Sequence, residues 1–401
     1  MKHRILLCAA AAANTISLCA CASDTCGESL KWTLDRNGTL TISGKGEMAN
    51  WDNDNPAPWF EQTSEIKNVV IREGVTSIGD YAFYCCDALT SITVPEGVTS
   101  IGDSAFSCCE ALTSVAMPDS LTSISDQAFF HCVQLTSVTL PDGAASIDSD
   151  AFWLCSELKK INVSEGNPNF CAVDGILFSR DMTDLVYYPE GKQGSEYVIP
   201  DSVVNICDSA FCDNDALTSV TIPDSVTCIG RSAFSFCNSL KSVTIPDSVT
   251  SIGDYAFSYC NALTFVNIPD RITSISDAAF SGCGALKSVT IPDGVTGIGD
   301  NAFLSCEALS SVTIPDSVTS IGEAAFSNCE ALTSVTVPDS VTAIGDDAFL
   351  SCEALSSVTI PASVSSLGTG AFSWCPVLTD LTVSADNPNF IFTEGVPNAT
   401  P

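Results

Sequence analysis

Hydrophobic and polar residues alternate along this chain in a pattern that returns every 23 residues. The unit that begins at Leu240 reads LKSVTIPDSVTSIGDYAFSYCNA. Its apolar positions are Leu240, Val243, Ile245, Val249, Ile252, Ala256, Phe257 and Cys260. Because so short a unit cannot bury its own apolar side chains, neighbouring units must stack on one another. The pattern therefore predicts a solenoid of 23-residue repeats and not a compact globule.

Each unit is predicted to contain one strand, a second extended segment and a helical turn. The alternation V-T-I at residues 243–245 predicts a short strand whose threonine faces outward. Pro246 ends this strand because proline has no N–H to donate to a sheet ladder. A second extended segment at residues 249–252 turns at Gly253, and Asp254 then caps a short helical turn. The predicted fold class is an α/β repeat with a face of parallel strands and short helices opposite.

The phase of the repeat divides the chain into segments. The dipeptide Ala-Phe keeps the 23-residue spacing, except that Phe152 and Phe211 are 59 residues apart, which is one period plus an insertion of 36. The predicted segments are a signal peptide over residues 1–22, an N-terminal β cap over 23–65, repeats over 66–161, an island insertion over 162–196, repeats over 197–383, and a truncated island or C-terminal cap over 384–401.

The cap and the island contain short strands of their own in this interpretation. Alternation interrupted by glycine predicts a β-hairpin around residues 36–38 of the cap. Within the island, strands are predicted at residues 176–178 and 185–188. The motif Asn-Pro-Asn-Phe, at residues 167–170 of the island, returns at residues 387–390. The final segment is therefore predicted to begin like the island.

The first residues have the pattern of an export signal. Lys2 and Arg4 precede an apolar stretch over residues 5–13, and small residues follow. The sequence L-C-A-C at residues 18–21 resembles the lipobox of bacterial lipoproteins, in which the last cysteine, here Cys21, is lipidated. Ordinary cleavage beside this motif, releasing a soluble protein, is the alternative. No later apolar stretch reaches the about 18 residues of a transmembrane helix. We therefore expect an exported protein, either lipid-anchored at the cell surface or secreted.

The charge balance and the histidine count exclude several function classes. Acidic residues outnumber basic ones 48 to 15, and the formal net charge is -33. Nucleic acid is not expected as a partner because phosphate binding needs Lys and Arg, and membrane contact is expected only through a lipid anchor. The two histidines are His3 and His131, so no base is available to activate a serine. The sequence predicts no catalytic residue, no cofactor and no enzymatic activity.

The cysteines follow the repeat. Most of the 21 lie three residues after the repeat phenylalanine, so we expect a buried column of thiols in which cysteine acts as a small apolar residue. Outside that column, the candidates for disulfides are Cys85 with Cys108 and Cys207 with Cys228. No Cys-x-x-Cys pair occurs with a matching histidine, so these residues predict no metal site.

Aspartate also recurs at fixed positions, after proline and after glycine. Examples are Asp247 and Asp254. The row after proline and the row after glycine are each expected to supply turn formers or helix caps. The alternative is that carboxylates one strand apart share Ca²⁺.

The consensus L-x-x-V-x-I-P-x-x-V-x-x-I-G-x-x-A-F-x-x-C resembles the Treponema-type leucine-rich repeat of BspA-like surface proteins. The resemblance extends from about Trp32 to the C terminus and is matched in nearly every unit. It implies a leucine-rich-repeat solenoid that binds partners on its strand face. The partners that it implies are host extracellular-matrix proteins or other cell-surface proteins.

The outward positions of the predicted strands are mostly serine and threonine. Lys160, Phe265 and Asp380 interrupt these columns, and we predict Lys160 and Phe265 as the principal ligand contacts. Thr244 and Thr290 represent the regular columns and are predicted as weaker contacts. The leading hypothesis is an adhesion or protein-binding function of the strand face. The alternative is a structural envelope scaffold or spacer without a specific ligand.

Overall fold

The first strand predicted in each repeat is present at every position except one, where Ser334 forms a single bridge to Ser357. These strands belong to a computed structural model that describes residues 25–390. The chain forms two compact units, the first ending at Gly175 and the second beginning at Ile176. In each unit, parallel strands join equivalent residues of successive repeats at the 23-residue spacing.

The first unit begins with an antiparallel pair and continues with parallel strands. Its strands are β1 (Leu30–Leu34), β2 (Thr39–Gly44), β3 (Gly46–Glu47), β4 (Asn68–Ile71), β5 (Val75–Ile78), β6 (Ser91–Thr93), β7 (Ser100–Ile101), β8 (Ser114–Ala116), β9 (Ser123–Ile124), β10 (Ser137–Leu140), β11 (Ser146–Ile147), β12 (Lys160–Val163) and β13 (Phe170–Val173), and a 3-10 helix spans Phe60–Glu65. β1 and β2 pair antiparallel, with Leu34 opposite Leu40. In their connecting turn, Asp35 accepts hydrogen bonds from the backbone N–H groups of Asn37 and Thr39. The parallel sheets have the strand orders β2-β4, β6-β8, β10-β12 and β3-β5-β7-β9-β11.

The second unit repeats this arrangement. Its strands are β14 (Ile176–Ser179), β15 (Asp184–Tyr187), β16 (Glu196–Val198), β17 (Asn205–Ile206), β18 (Ser219–Thr221), β19 (Cys228–Ile229), β20 (Ser242–Thr244), β21 (Ser251–Ile252), β22 (Phe265–Asn267), β23 (Ser274–Ile275), β24 (Ser288–Thr290), β25 (Gly297–Ile298), β26 (Ser311–Thr313), β27 (Ser320–Ile321), β28 (Ala343–Ile344), β29 (Ser357–Ile360), β30 (Ser366–Leu367) and β31 (Asp380–Val383). The strands predicted within the island are confirmed as β14 and β15, which pair antiparallel. The parallel orders are β16-β18-β20-β22-β24-β26, β15-β17-β19-β21, β23-β25-β27-β28-β30 and β29-β31.

The prediction of short helices opposite the strands is wrong. The segment Gly253–Asn261 and its equivalents, here called the turn face, form consecutive turns, and the 3-10 helix of the first unit is the only helix within residues 25–390. The N–H groups of Tyr255, Phe257 and Tyr259 donate to carbonyls of the next repeat at 2.9, 2.8 and 2.6 Å. Tyr255 and Tyr259 have φ values of 58° and 57°, in the left-handed region. The N–H groups of Ala256, Ser258 and Cys260 donate within the segment, at 3.3, 3.0 and 3.3 Å. Left-handed residues interrupt a right-handed helix, so bonds to the next repeat alternate with turns inside the segment.

A column of stacked aromatic rings runs through the core of each unit. In the first unit it consists of Trp59, Phe83, Phe106, Phe129 and Phe152. In the second unit it consists of Tyr188, Phe211, Phe234, Phe257, Phe280, Phe303, Phe326, Phe349 and Phe372. Neighbouring ring centroids are 4.8 to 6.0 Å apart. The phenylalanine column is as predicted, whereas its first members, Trp59 and Tyr188, were not foreseen.

The predicted cysteine column is buried, except for the half-buried Cys375, and has a role beyond packing. Ten of its thiols donate to the carbonyl of the aromatic-column phenylalanine one repeat earlier, as Cys283 does to Phe257 at 3.1 Å. The donors are Cys109, Cys132, Cys155, Cys237, Cys260, Cys283, Cys306, Cys329, Cys352 and Cys375. Burial raises the pKa of Cys283 to about 12, so its thiol keeps the proton that it donates.

The two cysteine pairs that were disulfide candidates do not form bridges. Cys207 and Cys228 are both thiols, and the register aligns Cys228 with Asn205 instead of Cys207. The Cys108 thiol accepts a hydrogen bond from Ser107 Oγ at 3.8 Å. Equivalent positions in successive repeats are thus held by backbone pairing and not by disulfides.

The repeated Asn-Pro-Asn-Phe motif builds the same hydrogen-bond network twice. Asn167 is buried and donates to the carbonyls of Pro141 and Ala144 at 2.7 and 3.0 Å. Its Oδ1 accepts the N–H groups of Asn169 and Phe170, both at 2.8 Å. The second copy makes the equivalent bonds through Asn387. In both units this side chain satisfies carbonyls of the preceding repeat, which is what buried polar groups require.

Candidate functional site

The exposed side chains of the first strand in each repeat form a continuous surface in each unit, here called the strand face. In β20 and β24 the outer serine and threonine are exposed and the central valine is buried. The register places Ser242 beside Phe265 and Asn267 beside Thr290. Three of the predicted contacts, Thr244, Phe265 and Thr290, therefore lie on the same surface of the second unit, on β20, β22 and β24.

Phe265 is an exposed aromatic residue of this surface, and Val198 on β16 is an exposed apolar residue of the same surface. Its side chain is 53% exposed, between strands that present serine at the same position. On the same strand, the Asn267 amide donates to the Ile245 carbonyl at 2.7 Å and accepts the Ile245 N–H at 3.1 Å. This amide satisfies the backbone of the neighbouring repeat. Phe265 projects from a strand whose backbone is already fixed, so binding through this residue would cost little conformational entropy.

Two exposed lysines flank Phe265, and the sequence analysis did not single them out. Lys241 and Lys287 are joined through Thr264, whose N–H donates to the Lys241 carbonyl at 3.2 Å and whose carbonyl accepts the Lys287 N–H at 3.3 Å. Neither lysine forms an ion pair within residues 25–390. Both lysines occur in the sequence L-K-S-V, which begins at residues 240 and 286. Each directly precedes an outward serine of the columns from which the ligand contacts were predicted.

Lys160 belongs to the first unit, where β12 aligns it with Ser137. Its side chain is exposed, and a Cβ placed on Gly175 would lie 2.6 Å from the Lys160 Cβ. Because Gly175 has no side chain, its backbone can lie close to the Cβ of Lys160. Lys160 is thus the cationic interruption of the strand face in the first unit.

The aspartates that follow glycine bind backbone and not one another. Asp80 Oδ1 accepts the N–H of Asp103 at 2.9 Å, and Asp300 Oδ1 accepts the N–H of Glu323 at 2.7 Å. Partial burial raises the pKa of Asp80. Among residues 25–390, no group of three or more His, Cys, Asp or Glu side chains is placed to hold a metal ion. This row of carboxylates joins each repeat to the next.

His131 lies on the turn face of the first unit and is half-buried. Its Nδ1 is 3.7 Å from Glu110 Oε1. A hydrogen bond with Cys108 raises the pKa of His131, burial opposes that shift, and the Glu110 carboxylate adds to it. The imidazole is thereby held by its neighbours Cys108 and Glu110 on the turn face.

The described part of the chain contains no helix long and apolar enough to cross a membrane. The predicted signal peptide, Cys21 and the last eleven residues, 391–401, lie outside it.

Comparison with known proteins identifies the repeat. A family model described as the BspA type leucine rich repeat region matches in six copies, over residues 56–172, 190–310 and 297–391. This match confirms the family predicted from the consensus. A search of curated proteins gave no match.

Solved structures from bacteria share the fold. A leucine-rich repeat protein from Eubacterium ventriosum is 30% identical with a TM-score of 0.74, and the match covers 81% of this chain and 93% of that one. A leucine-rich repeat protein from Bacteroides ovatus is 27% identical with a TM-score of 0.56, over 89% of this chain and 94% of that one. The pneumococcal vaccine antigen PcpA, at 22% identity and a TM-score of 0.53 over 80% of this chain and 92% of that one, shares the fold. The chain belongs to the BspA-type leucine-rich-repeat family.

Proposed function

We propose that this protein binds other proteins through its strand face, with Phe265 as the central contact of the second unit. The observation that carries the proposal is the 53% exposure of Phe265 on a surface whose regular outer positions are mostly serine and threonine. Exposed aromatic residues on a fixed backbone are the usual anchors of protein interfaces. The serine and threonine columns, including Thr244 and Thr290, supply weak hydrogen bonds around this anchor.

The lysines beside Phe265 define the complementary chemistry of the partner. Lys241 and Lys287 are exposed cations on a chain whose formal net charge is -33. Most of its surface repels acidic partners, whereas this patch attracts them. The partner is therefore a protein that presents an apolar pocket with acidic residues beside it. Lys160 supplies the equivalent cationic contact on the first unit.

The individual contacts are weak, so useful affinity arises from several engaged repeats or from many copies at one surface. Adhesion to extracellular-matrix proteins or to other cells has this character. Beads coated with the full chain and applied to immobilised matrix proteins measure it directly. The double variant Phe265→Ser and Lys160→Ser is expected to reduce bead adhesion, and Thr244→Asp with Thr290→Asp to reduce it further.

Matched variants on other surfaces serve as controls. Trp374→Ser removes a side chain that is 75% exposed on the turn face, and Ser274→Asp adds a charge on β23, away from the strand face. Both are expected to leave adhesion unchanged. If adhesion is present and the strand-face variants behave like these controls, the strand face is not the binding surface.

A structural scaffold or spacer is the second candidate, and the regularity of the serine and threonine columns favours it. A scaffold without a specific ligand retains nothing above background when the full chain is used to capture proteins from host matrix and serum. Capture that is lost with Phe265→Ser supports the binding function instead. The two functions therefore differ in the amount of protein that the full chain captures above background.

We further propose that the chain is exported and lipidated at Cys21, which follows from the export pattern of the first residues. The expected result is incorporation of a fatty-acid analogue into the protein expressed in a bacterial host. Cys21→Ala is expected to abolish that label. Label that persists in Cys21→Ala contradicts lipidation at this residue.

A further inference from the structure

One repeat of the second unit lacks two side chains that the neighbouring repeats place on the turn face. The sequence S-G-C-G at residues 281–284 has glycine where the preceding repeat has Tyr259 and Asn261. A Cβ placed on Gly284 would have no heavy atom within 4 Å, so the space above it is open. The two glycines therefore interrupt an otherwise continuous row of side chains, and the gap that is open above Gly284 is here called the notch.

An aromatic ring forms one wall of this notch. Tyr259 is 45% exposed and stacks on Phe236 with ring centroids 4.9 Å apart and planes 4° from parallel. A Cβ on Gly282 would lie 2.6 Å from Cδ1 of Tyr259, so only glycine lets the ring adopt this position. Phe236 covers one face of the Tyr259 ring, and the ring leans over Gly282 at the edge of the notch.

A ladder of side-chain amides ends at the same place. Asn238 Nδ2 donates to Asp215 Oδ1 at 3.0 Å, and Asn261 Nδ2 donates to Asn238 Oδ1. The next position in this column is Gly284, which has no side chain that could donate to Asn261 Oδ1. Each bond polarises the next in such a ladder, which strengthens the acceptor at its end. Asn261 therefore offers an unused carbonyl oxygen to a hydroxyl group.

The far wall of the notch is polar. The repeat after the glycines presents Ser305 and Glu307 at the equivalent positions, and the N–H of Ala308 donates to the Gly284 carbonyl at 3.1 Å. Two strand spacings, roughly 10 Å, separate Tyr259 from Ser305 along the array. This distance admits one ring in van der Waals contact with Tyr259, at about 3.5–4.0 Å.

We propose that this notch binds one ring of a neutral oligosaccharide. The C–H face of a pyranose ring is apolar and stacks on an aromatic face such as Tyr259, and its hydroxyl groups donate to Asn261 Oδ1 and to the Glu307 carboxylate. The carboxylate repels an anionic sugar, so the ligand is uncharged. The site lies on the turn face and is independent of protein binding by the strand face.

The amide ladder itself supplies the sharpest test. Gly284→Asn adds the next amide, whose Nδ2 donates to Asn261 Oδ1 and whose side chain fills the notch, in a conformation that Asn238 and Asn261 already adopt. Tyr259→Ser places there the residue found at Ser305. Both variants are expected to fold and to lower the affinity for the bound sugar at least about tenfold.

Saturation-transfer NMR with the full chain measures the binding, with maltotetraose, cellotetraose and N-acetyl-chitotetraose as the neutral probes. The matched controls are Glu330→Asn, which makes a similar change in the same column two repeats beyond Gly284, and Tyr255→Ser, which removes another exposed tyrosine. Signal from at least one probe that is lost in Gly284→Asn and retained in both controls supports the site.

Two results overturn the proposal. The first is the absence of transfer to every neutral probe, or transfer that Gly284→Asn leaves unchanged. The second is transfer to N-acetyl-tryptophanamide that Gly284→Asn abolishes, while the oligosaccharides show none. The second result assigns the notch to an aromatic side chain of a protein. Neither result bears on adhesion by the strand face, which Phe265→Ser tests separately.

Discussion

The strand face and the turn face of the second unit are both built by hydrogen bonds between successive repeats, but they differ in backbone strain. On the strand face, β20 pairs with β22 through ordinary parallel-sheet geometry. On the turn face, Tyr255 and Tyr259 are left-handed and nevertheless donate to the next repeat. Such a conformation costs about 1–2 kcal/mol per non-glycine residue. It persists because the surrounding repeats fix it from both sides.

The two faces also differ in how much their side chains vary. At the outer positions of the strand face, serine and threonine predominate, and Phe265 stands out. At the position of Tyr259 on the turn face, the successive repeats of the second unit place Asp213, Phe236, Tyr259, Gly282, Ser305, Asn328, Ser351 and Trp374. A backbone ladder that does not depend on the side chain tolerates this variety. Variation of this kind is where binding sites arise in repeat proteins.

The largest expected effect is at the buried ring column beneath both faces. Phe257 is fully buried, with its neighbours Phe234 and Phe280 at 5.1 and 5.6 Å. Phe257→Ala is expected to destabilise these repeats by about 3–5 kcal/mol, because it leaves a cavity in the stack. Thermal unfolding and hydrogen exchange of the flanking repeats measure the loss.

The exposed ring of the strand face provides the control. Phe265→Ala is expected to change stability by no more than about 0.5 kcal/mol. Equal destabilisation by Phe257→Ala and Phe265→Ala would show that the column does not hold the repeats together.

The thiol column gives the next effect. Cys283→Ala removes a buried thiol and its hydrogen bond to the Phe257 carbonyl. That carbonyl still accepts the Cys260 N–H, so it is not left without a donor. The expected loss is about 1–2 kcal/mol, from a small cavity and one lost hydrogen bond. Cys228→Ala, at a half-buried thiol outside the column, is the control, with an expected change near 0.5 kcal/mol. Chemical denaturation measures the free energy of unfolding of both variants. Equal losses would show that the thiol column contributes no more to stability than a half-buried cysteine outside it.

The sequence predicted those parts of the fold that depend on side-chain periodicity. The alternation around Val243 and the spacing of Phe257 specify which residues face inward, and the structure agrees. The turn face could not be predicted in the same way, because the partner of the Tyr255 N–H lies in another repeat. Local propensity at Ala256 favours a helix, and the neighbouring repeat overrides it. Tyr188 takes the place of phenylalanine, so a search for Ala-Phe missed it.

The candidate site was predicted less completely than the fold. Thr244, Phe265 and Thr290 were expected to face outward, and they share one surface. The lysines at 241 and 287 were readable in the sequence, but their placement around Phe265 depends on register between strands. The notch at Gly284 could not be inferred from periodicity, because it is defined by absent side chains.

Glycine substitutions are expected to have opposite signs on the two faces. Ala324 lies on the turn face with φ of 50°. Ala324→Gly relieves the left-handed strain, which outweighs the entropy of the added glycine, so a gain of about 0.5 kcal/mol is expected. Thr290→Gly, on a strand with ordinary geometry, is expected to lose about 1 kcal/mol. Destabilisation of similar size by both, measured by chemical denaturation, would contradict the strain assigned to the turn face.

The smallest effect is a pH dependence confined to the turn face of the first unit. Cys108, and then Glu110, raise the pKa of His131 above its ordinary value near 6.5. A raised pKa in the folded state means that protonated His131 stabilises the fold at low pH. This contribution is complete below the unfolded pKa and is lost as the pH rises through the folded one. Its size is at most about 1 kcal/mol, because Glu110 and His131 are partly exposed.

The unfolding free energy of the full chain should therefore exceed that of His131→Gln at about pH 5 by more than at about pH 8. Thr290→Gln, on the strand face, should show no such change in its difference from the unsubstituted chain. A difference between His131→Gln and the unsubstituted chain that stays constant across this range would show that His131 contributes no proton-linked stability.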